Sequence, residues 1–251
     1  MKITDNCFAI LGLGLYPPWI VNAGFVVGSE RTLVIDTGPN YMSAQTIYGY
    51  AKNIKPGNEL IVVNTEKHLD HIGGNCFFQD TGIIIYGHEN IKRFDYELMD
   101  EKAAFNQSIL NDIRRNAHEE QIFYQATRII NPDLHTFNGK IFNLGGGIDA
   151  AVINTFGHTS TNISIYVGKE NVLYCGDCIV SGYMPNLEAG DKENWRIWLN
   201  SLKLISKMQI NHIVPGHGKV LYGAEIKSEI ERITNILEQA IKNNKAPTKI
   251  N

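Results

Sequence analysis

The chain is poor in the features that mark several protein classes. Four cysteines (Cys7, Cys76, Cys175 and Cys178) are scattered through 251 residues, too few and too dispersed for a disulfide framework. No stretch approaches the ~18 consecutive apolar residues that cross a bilayer, so no membrane association is expected. The segment Met1-Lys2-Ile3-Thr4-Asp5-Asn6 leads into only a short apolar run, Cys7 to Leu15, without a clear small-residue cleavage site. A secretory signal is therefore not expected, and the protein reads as cytoplasmic. Basic charge is not in excess: 23 Lys and Arg stand against 26 Asp and Glu, a net charge of -3, with no basic cluster. A protein that grips a nucleic-acid backbone normally carries a basic face, so no nucleic-acid partner is expected. A Gly-x-Ser-x-Gly elbow is missing, as is a glycine-rich loop ending in Lys-Ser or Lys-Thr. The pair Gly12 and Gly14 has no third glycine and opens no helix, which excludes a dinucleotide fingerprint.

What the chain does have is material for a full-sized core: 43% hydrophobic residues and only 20% charged, in one large α/β domain or two small ones. Phe8–Leu13 and Ala23–Val27 read as a hairpin. The intervening Gly14-Leu15-Tyr16-Pro17-Pro18-Trp19 is either a flap over a pocket or a tight loop with Trp19 packed inward, since two prolines exclude a regular ladder. Thr32–Ile35 reads as a buried strand ending at Asp36. Ala44, Ile47, Ala51 and Ile54 recur at helical spacing. Strand Leu60–Val63, a short helix near Ile72–Gln79 and strand Ile83–Tyr86 then complete a β-α-β-α-β order, with His88 an ordinary loop-end histidine. Residues 90–130 contain neither glycine nor proline and space Phe105, Ile109 and Ile113 four apart. They read as a helical insertion, a solvated arm rather than a lid or homodimer contact, in which His118 and Tyr124 carry no function. Beyond it, strands are expected at Lys140–Asn143, Ile148–Thr155, Ile163–Val167, Asn171–Tyr174 and His212–Val214. Helical faces follow from Trp195, Trp198, Leu199, Leu202 and Ile205, and from Ile226, Ile230, Ile233 and Leu237. No linker or low-complexity segment interrupts the series.

The chemistry concentrates in Asn64-Thr65-Glu66-Lys67-His68-Leu69-Asp70-His71-Ile72-Gly73-Gly74. Four potential metal ligands fall within six positions, on the loop leaving a buried strand, where open α/β sheets place their sites. Glu66 and His68, two apart in extended chain, would point the same way. A lone His-x-x-His would be an ordinary polar loop. Here Gly157-His158-Thr159, Cys175-Gly176-Asp177 and Pro215-Gly216-His217-Gly218 each set one more potential ligand on a turn after an expected strand.

With Ile35-Asp36-Thr37-Gly38 upstream, this ordered set resembles the metallo-β-lactamase superfamily, from about residue 8 to about residue 240. The resemblance implies a single α/β domain built as a four-layer αββα sandwich. It also implies two divalent metal ions, zinc first, with iron or manganese as alternatives. Glu66, His68 and His158 would hold one ion and Asp70, His71 and His217 the other, with Asp177 bridging them beside a water or hydroxide. Asp36 would brace the metal loop. Asp70 would act catalytically by orienting the nucleophilic hydroxide or shuttling its proton. Tyr16, Trp19 and Tyr183, the last within Ser181-Gly182-Tyr183-Met184, would line the mouth of a small-molecule pocket.

Two positions depart from the family pattern. Glu66 stands where the family usually has histidine. Two dications carry about +4; a hydroxide with Asp70 and Asp177 offsets three of those charges and Glu66 the fourth, so the cluster is formally neutral. Its bound water should then be less acidic, and the hard oxygen tilts the first site toward iron or manganese. Alternatively Glu66 does not ligate and one metal alone binds. Cys178, beside Asp177, is the second oddity: adjacent extended residues point to opposite faces, so Asp177 is the expected ligand, and a redox Cys175-x-x-Cys178 pair is the weaker reading. The expected activity is hydrolysis of an ester, thioester, lactone or amide, β-lactams included. The rivals are an iron-dependent oxidoreductase, a non-catalytic metal-binding protein and, less favoured, a nuclease.

Overall fold

Alternation of apolar residues along the strands sets the layering. The computed structural model describes residues 1–14, 20–108, 122–187 and 190–246, with the backbone alone for 104–108. The first sheet runs in chain order through β1 (Cys7–Leu13), β2 (Val21–Val27), β3 (Arg31–Ile35), β4 (Glu59–Val63), β5 (Ile85–His88) and β6 (Leu134–Thr136). Its first three strands are antiparallel, and β3 through β6 are parallel. The second sheet joins β7 (Ile141–Asn143), β8 (Asp149–Asn154), β9 (Ile163–Val167), β10 (Val172–Tyr174), β11 (His212–Val214) and β12 (Leu221–Tyr222) in the order 12-11-10-9-8-7. There only β10 and β11 are parallel.

On the inner faces Leu33, Ile35, Ile61 and Val63 pack with Ile163, Ile165, Val172 and Tyr174 in one intersheet core. The alternate residues Val34, Leu60 and Val62 face outward, onto Ala44, Ile47 and Ala51 of α1 (Tyr41–Ile54) and Phe77 and Phe78 of α3 (Asn75–Asp80). Across the molecule Leu173, Ile213 and Leu221 pack on Trp198 and Leu202 of α5 (Lys192–Ile205) and Ile233 and Leu237 of α6 (Ala224–Asn243). The result is the expected helix–sheet–sheet–helix sandwich, each fully buried aliphatic side chain contributing about 1.5–3 kcal/mol. Asn40 caps α1 through Ser43 N, and Asp191 opens α5 with a capping box closed by Asn194, each cap worth about 1 kcal/mol. Among the described residues no helix is long and apolar enough to cross a membrane.

Several local expectations need correction. The helix expected over 72–79 is two short ones, α2 (Leu69–Ile72) and α3, because the Asp36–Asn40 segment lies against Gly73 and Gly74. A Cβ on either glycine would meet Pro39 O at 2.1 Å or Thr37 O at 2.2 Å. Strand β5 starts two residues later than Ile83, so His88 closes it and stacks edge-on against Phe156. Ile54 is 45% exposed at the end of α1, outside the buried stripe. The arm is not simply solvated: α4 (Asp95–Ser108) and residues 122–124 dock through Leu98, Phe123 and Tyr124 onto Leu69 and Ile72 of α2. Ile109, Ile113, His118 and the Phe105 side chain lie outside the described residues.

The layering predicts unequal costs of truncation. Leu33→Ala should lower the unfolding free energy by about 2–5 kcal/mol and Ile54→Ala change it by less than about 0.5 kcal/mol, as read from urea denaturation midpoints.

Candidate metal centre

The strand carboxyl ends converge on one edge of the sandwich. Strand β3 ends at Asp36 and β4 runs into Glu66, His68, Asp70 and His71. The turn after β8 carries His158, a 3-10 turn after β10 carries Asp177, and the turn after β11 carries His217. Only glycine fits beside the central carboxylate: a Cβ at Gly216 would lie 1.9 Å from Asp177 Oδ1.

Seven side chains meet there. Glu66, His68 and His158 present ligand atoms within 4.8 Å of one another, as do Asp70, His71 and His217, and also Glu66, His71 and Asp177. Glu66 Oε1 is 2.8 Å from His68 Nδ1 and 3.6 Å from His71 Nε2. Asp177 turns its two oxygens to different groups: Oδ1 is 3.2 Å from His71 Nε2, while Oδ2 is 3.5 Å from His158 Nε2 and 3.4 Å from His217 Nε2. Asp70 Oδ2 lies 3.2 Å from His217 Nε2. Glu66 has no exposed side-chain surface, and Asp177 is only 10% exposed.

A second layer of bonds orients these groups. Asp36 Oδ1 accepts the Thr65 amide (2.7 Å), and its Oδ2 accepts the Thr65 hydroxyl (2.7 Å) and meets His71 Nδ1 at 2.9 Å. Asp36 does so with a φ of 62°, in the left-handed region that aspartate and asparagine enter more readily than other side chains. His217 Nδ1 bonds the Ile20 carbonyl, which leaves Nε2 for the cluster. Asn75 links Asn64 and Thr37 beneath the metal loop.

Charge is dense in this pocket. Burial would raise the Glu66 carboxyl, but His68, His71 and His158 outweigh it and hold it at about 2. Burial opposes protonation of His71, yet Asp36, Asp70 and Asp177 keep its pKa well above the usual imidazole range. Asp177 and Asp70 do the same to the buried His217. His158 goes the other way, its pKa lowered by burial.

The donor set fits a metal. Glu66 Oε1, His71 Nε2 and Asp177 Oδ1 are buried and face one another, and despite close neighbours none makes a well-directed hydrogen bond, although buried polar atoms are almost always satisfied. One cation among the three would satisfy all of them. The adjacent thiols do not compete: Cys175 and Cys178 pack behind the second sheet as free thiols, and burial pushes Cys178 up to about 12. A thiol so placed is inert as a ligand or redox group.

A cleft of about 310 Å³ opens onto His68, Asp70, His158, Asp177 and His217. Tyr183 lines it, as does Met184; Tyr16 and Trp19 lie outside the described residues. Glu101 and Tyr124, brought in by the arm, also line it. Tyr124 is only 4% exposed and packs the arm onto α2 as well as lining the cleft. Both are at least 30 residues from any histidine or carboxylate of the cluster along the chain, and no local pattern marks them.

A sequence profile described as the metallo-beta-lactamase superfamily matches residues 16–217. A beta-lactamase-like protein 2 homolog of Caenorhabditis elegans is 27% identical over 258 residues, covering 99% of this chain and 72% of its own length. Among solved structures, a metallo-beta-lactamase family protein from Thermus thermophilus has a TM-score of 0.71 at 18% identity, covering 96% of this chain and 82% of that one. A metallo-beta-lactamase from Pontibacter korlensis has a TM-score of 0.68 at 19% identity, covering 95% and 97%. Likeness at these identities speaks for the fold alone, whereas the profile spans most of the sequence and takes in every member of the cluster. The chain belongs to the metallo-β-lactamase superfamily, whose members are mostly metal-dependent hydrolases.

Proposed function

We propose that the protein is a two-metal hydrolase acting on an ester, thioester, lactone or amide bond of a small substrate. One observation carries the reading: seven side chains from four separate stretches meet around three buried polar atoms that one cation would satisfy together. Glu66, His68 and His158 would hold one ion, Asp70, His71 and His217 the other, and Asp177, which faces members of both groups, would serve both. Zinc suits this mixed imidazole and carboxylate set, with iron and manganese close behind. Bound there, a pair of dications supplies Lewis acidity to a carbonyl oxygen and lowers the pKa of water toward neutrality.

The chain's own residues do the rest. Asp70 is 23% exposed, more than Glu66 or Asp177, and lines the cleft. It can accept a hydrogen bond from an attacking water and hold that proton. Asp36 fixes the His71 ring from behind, and the Ile20 carbonyl fixes His217. Leu69, Val180, Tyr183 and Met184 form largely apolar walls, with Asn186 and Glu101 as polar points. Such a cleft suits a small acyl compound. β-Lactams are one candidate among several, since this fold hosts many reactions.

The buried carboxylate of Glu66 favours a second reading, an iron-dependent oxidoreductase, because a hard oxygen ligand tilts the first site away from zinc, toward iron or manganese. Stoichiometric iron in protein expressed with balanced metals, and no turnover on an ester, thioester, lactone and β-lactam panel, would support it. The hydrolase reading expects two metal equivalents and turnover on at least one member of that panel, lost on chelation and restored by divalent ions. Asp70→Asn should lower that turnover by at least ~10²-fold.

Two further outcomes are expected. The raised pKa values of His71 and His217 leave both protonated near neutrality without metal. Binding must displace those protons, so affinity rises with pH, and calorimetry at pH 7 in buffers of differing ionisation enthalpy should show net proton release. Glu66→His adds a unit of positive charge to the loaded cluster. It should shift metal content toward zinc by elemental analysis and move the acidic limb of the rate profile to lower pH; unchanged content and profile would remove Glu66 from the ligand set.

A further inference from the structure

The turn that presents His217 is held by a side chain from the far end of the sequence. Asn22, on β2, is 5% exposed. Its Nδ2 donates to Pro215 O (3.0 Å) and Gly218 O (2.8 Å), one on each side of His217. Its Oδ1 accepts the Gly12 amide (3.2 Å), and its own amide donates to Gly216 O (2.7 Å). The Ile20 carbonyl that takes the His217 Nδ1 proton is two residues away. From the segment that follows β10, among the described residues, the turn is met by backbone bonds alone: Ser181 N to His217 O (2.9 Å), and Gly216 N to Gly176 O (2.8 Å). Glu66 and His68 leave β4, and His158 leaves β8; none of the Asn22 bonds reaches those segments.

We propose that Asn22 is the positioning residue of the second metal-binding group, setting the His217 imidazole against Asp70 and Asp177 while leaving the Glu66, His68 and His158 group untouched. The inference rests on the two-metal reading above. Its physical basis is that a turn of four residues containing two glycines keeps one conformation only where its carbonyls are tied down. Without the Nδ2 donors, the Pro215 and Gly218 carbonyls lose their side-chain partner, and the turn relaxes to find others. A ligand displaced by even ~1 Å loses much of its bond to a cation, and outer partners of a metal ligand typically govern about 10–100-fold in affinity.

The test is metal affinity rather than turnover. Metal-free wild type, Asn22→Ala and Asn22→Asp are titrated with zinc against a chromophoric chelator, and with cobalt followed by its d–d absorption. Asn22→Asp keeps the size and the acceptor for Gly12 but loses both donors. Asn58 provides a matched control: it is also buried, and its Nδ2 donates to Gly28 O and Thr32 Oγ1 at 3.1 Å, at the opposite end of the first sheet. Wild type should take up two equivalents. Both Asn22 variants should bind the first within about 3-fold of wild type and the second at least ~10-fold more weakly, with the second cobalt spectrum altered. Asn58→Ala should lower the denaturation midpoint and leave both affinities unchanged. Asn22 variants that bind both ions like wild type, lose both equally, or stay unfolded at saturating metal would overturn the assignment. A wild type that takes up no metal would instead sink the two-metal reading, and this inference with it.

Discussion

Three carboxylates, Glu66, Asp70 and Asp177, cannot remain ionised together at the end of a dry sandwich unless positive charge sits among them. Burying unpaired charge costs several kcal/mol per ion. Without metal, imidazolium at His71 and His217 offsets much of that charge, and His68, whose pKa is raised against burial by Glu66, Asp70 and Asp177, adds to it. On the two-metal reading proposed above, bound cations would take over that role and the imidazoles would be neutral ligands. The same groups would then serve both states, with the centre assembled before any ion arrives.

That demand explains why the surroundings are so closely built. The sheets bring the turns beyond β4, β8, β10 and β11 to one edge, with ligand atoms within 4.8 Å of one another in each group, but the last alignment comes from buried polar side chains. Asp36 acts on Thr65 and His71, Asn75 on Asn64 and Thr37, Asn22 on the His217 turn. The glycines at 73, 74 and 216 are the other side of this economy, admitting backbone or carboxylate where a methyl group would collide. The arm adds a different element. Leu98, Phe123 and Tyr124 seat it on α2, the helix that carries Asp70 and His71, so one wall of the cleft is continuous with the metal loop.

Much of this was readable from the chain. Strands such as Leu60–Val63 and Ile163–Val167 announce themselves as apolar runs, and α5 and α6 by their buried stripes. The cluster could be read because its residues crowd into short motifs with few structural reasons to be there. What escaped had no local signature. Strands β6 and β12 span three and two residues, too few for a period. The break at Gly73–Gly74 depends on the segment leaving β3, which is remote along the chain. Glu101 and Tyr124 reach the cleft only through tertiary docking. Asn22 looks like any polar residue in a strand until its partners, 193 and 196 residues away, are known.

Asp36 shows how narrow the choice at one position can become. Its backbone sits at a φ that β-branched and bulky residues avoid, so glycine, asparagine and aspartate are the ready occupants. Its side chain must take up three hydrogen bonds and face a charged imidazole, which glycine cannot do and neutral asparagine does only in part. Glutamate carries the charge but not the conformation. With these neighbours in place, the alphabet at that site has a single letter, and any drift there would have to begin with the residues around it.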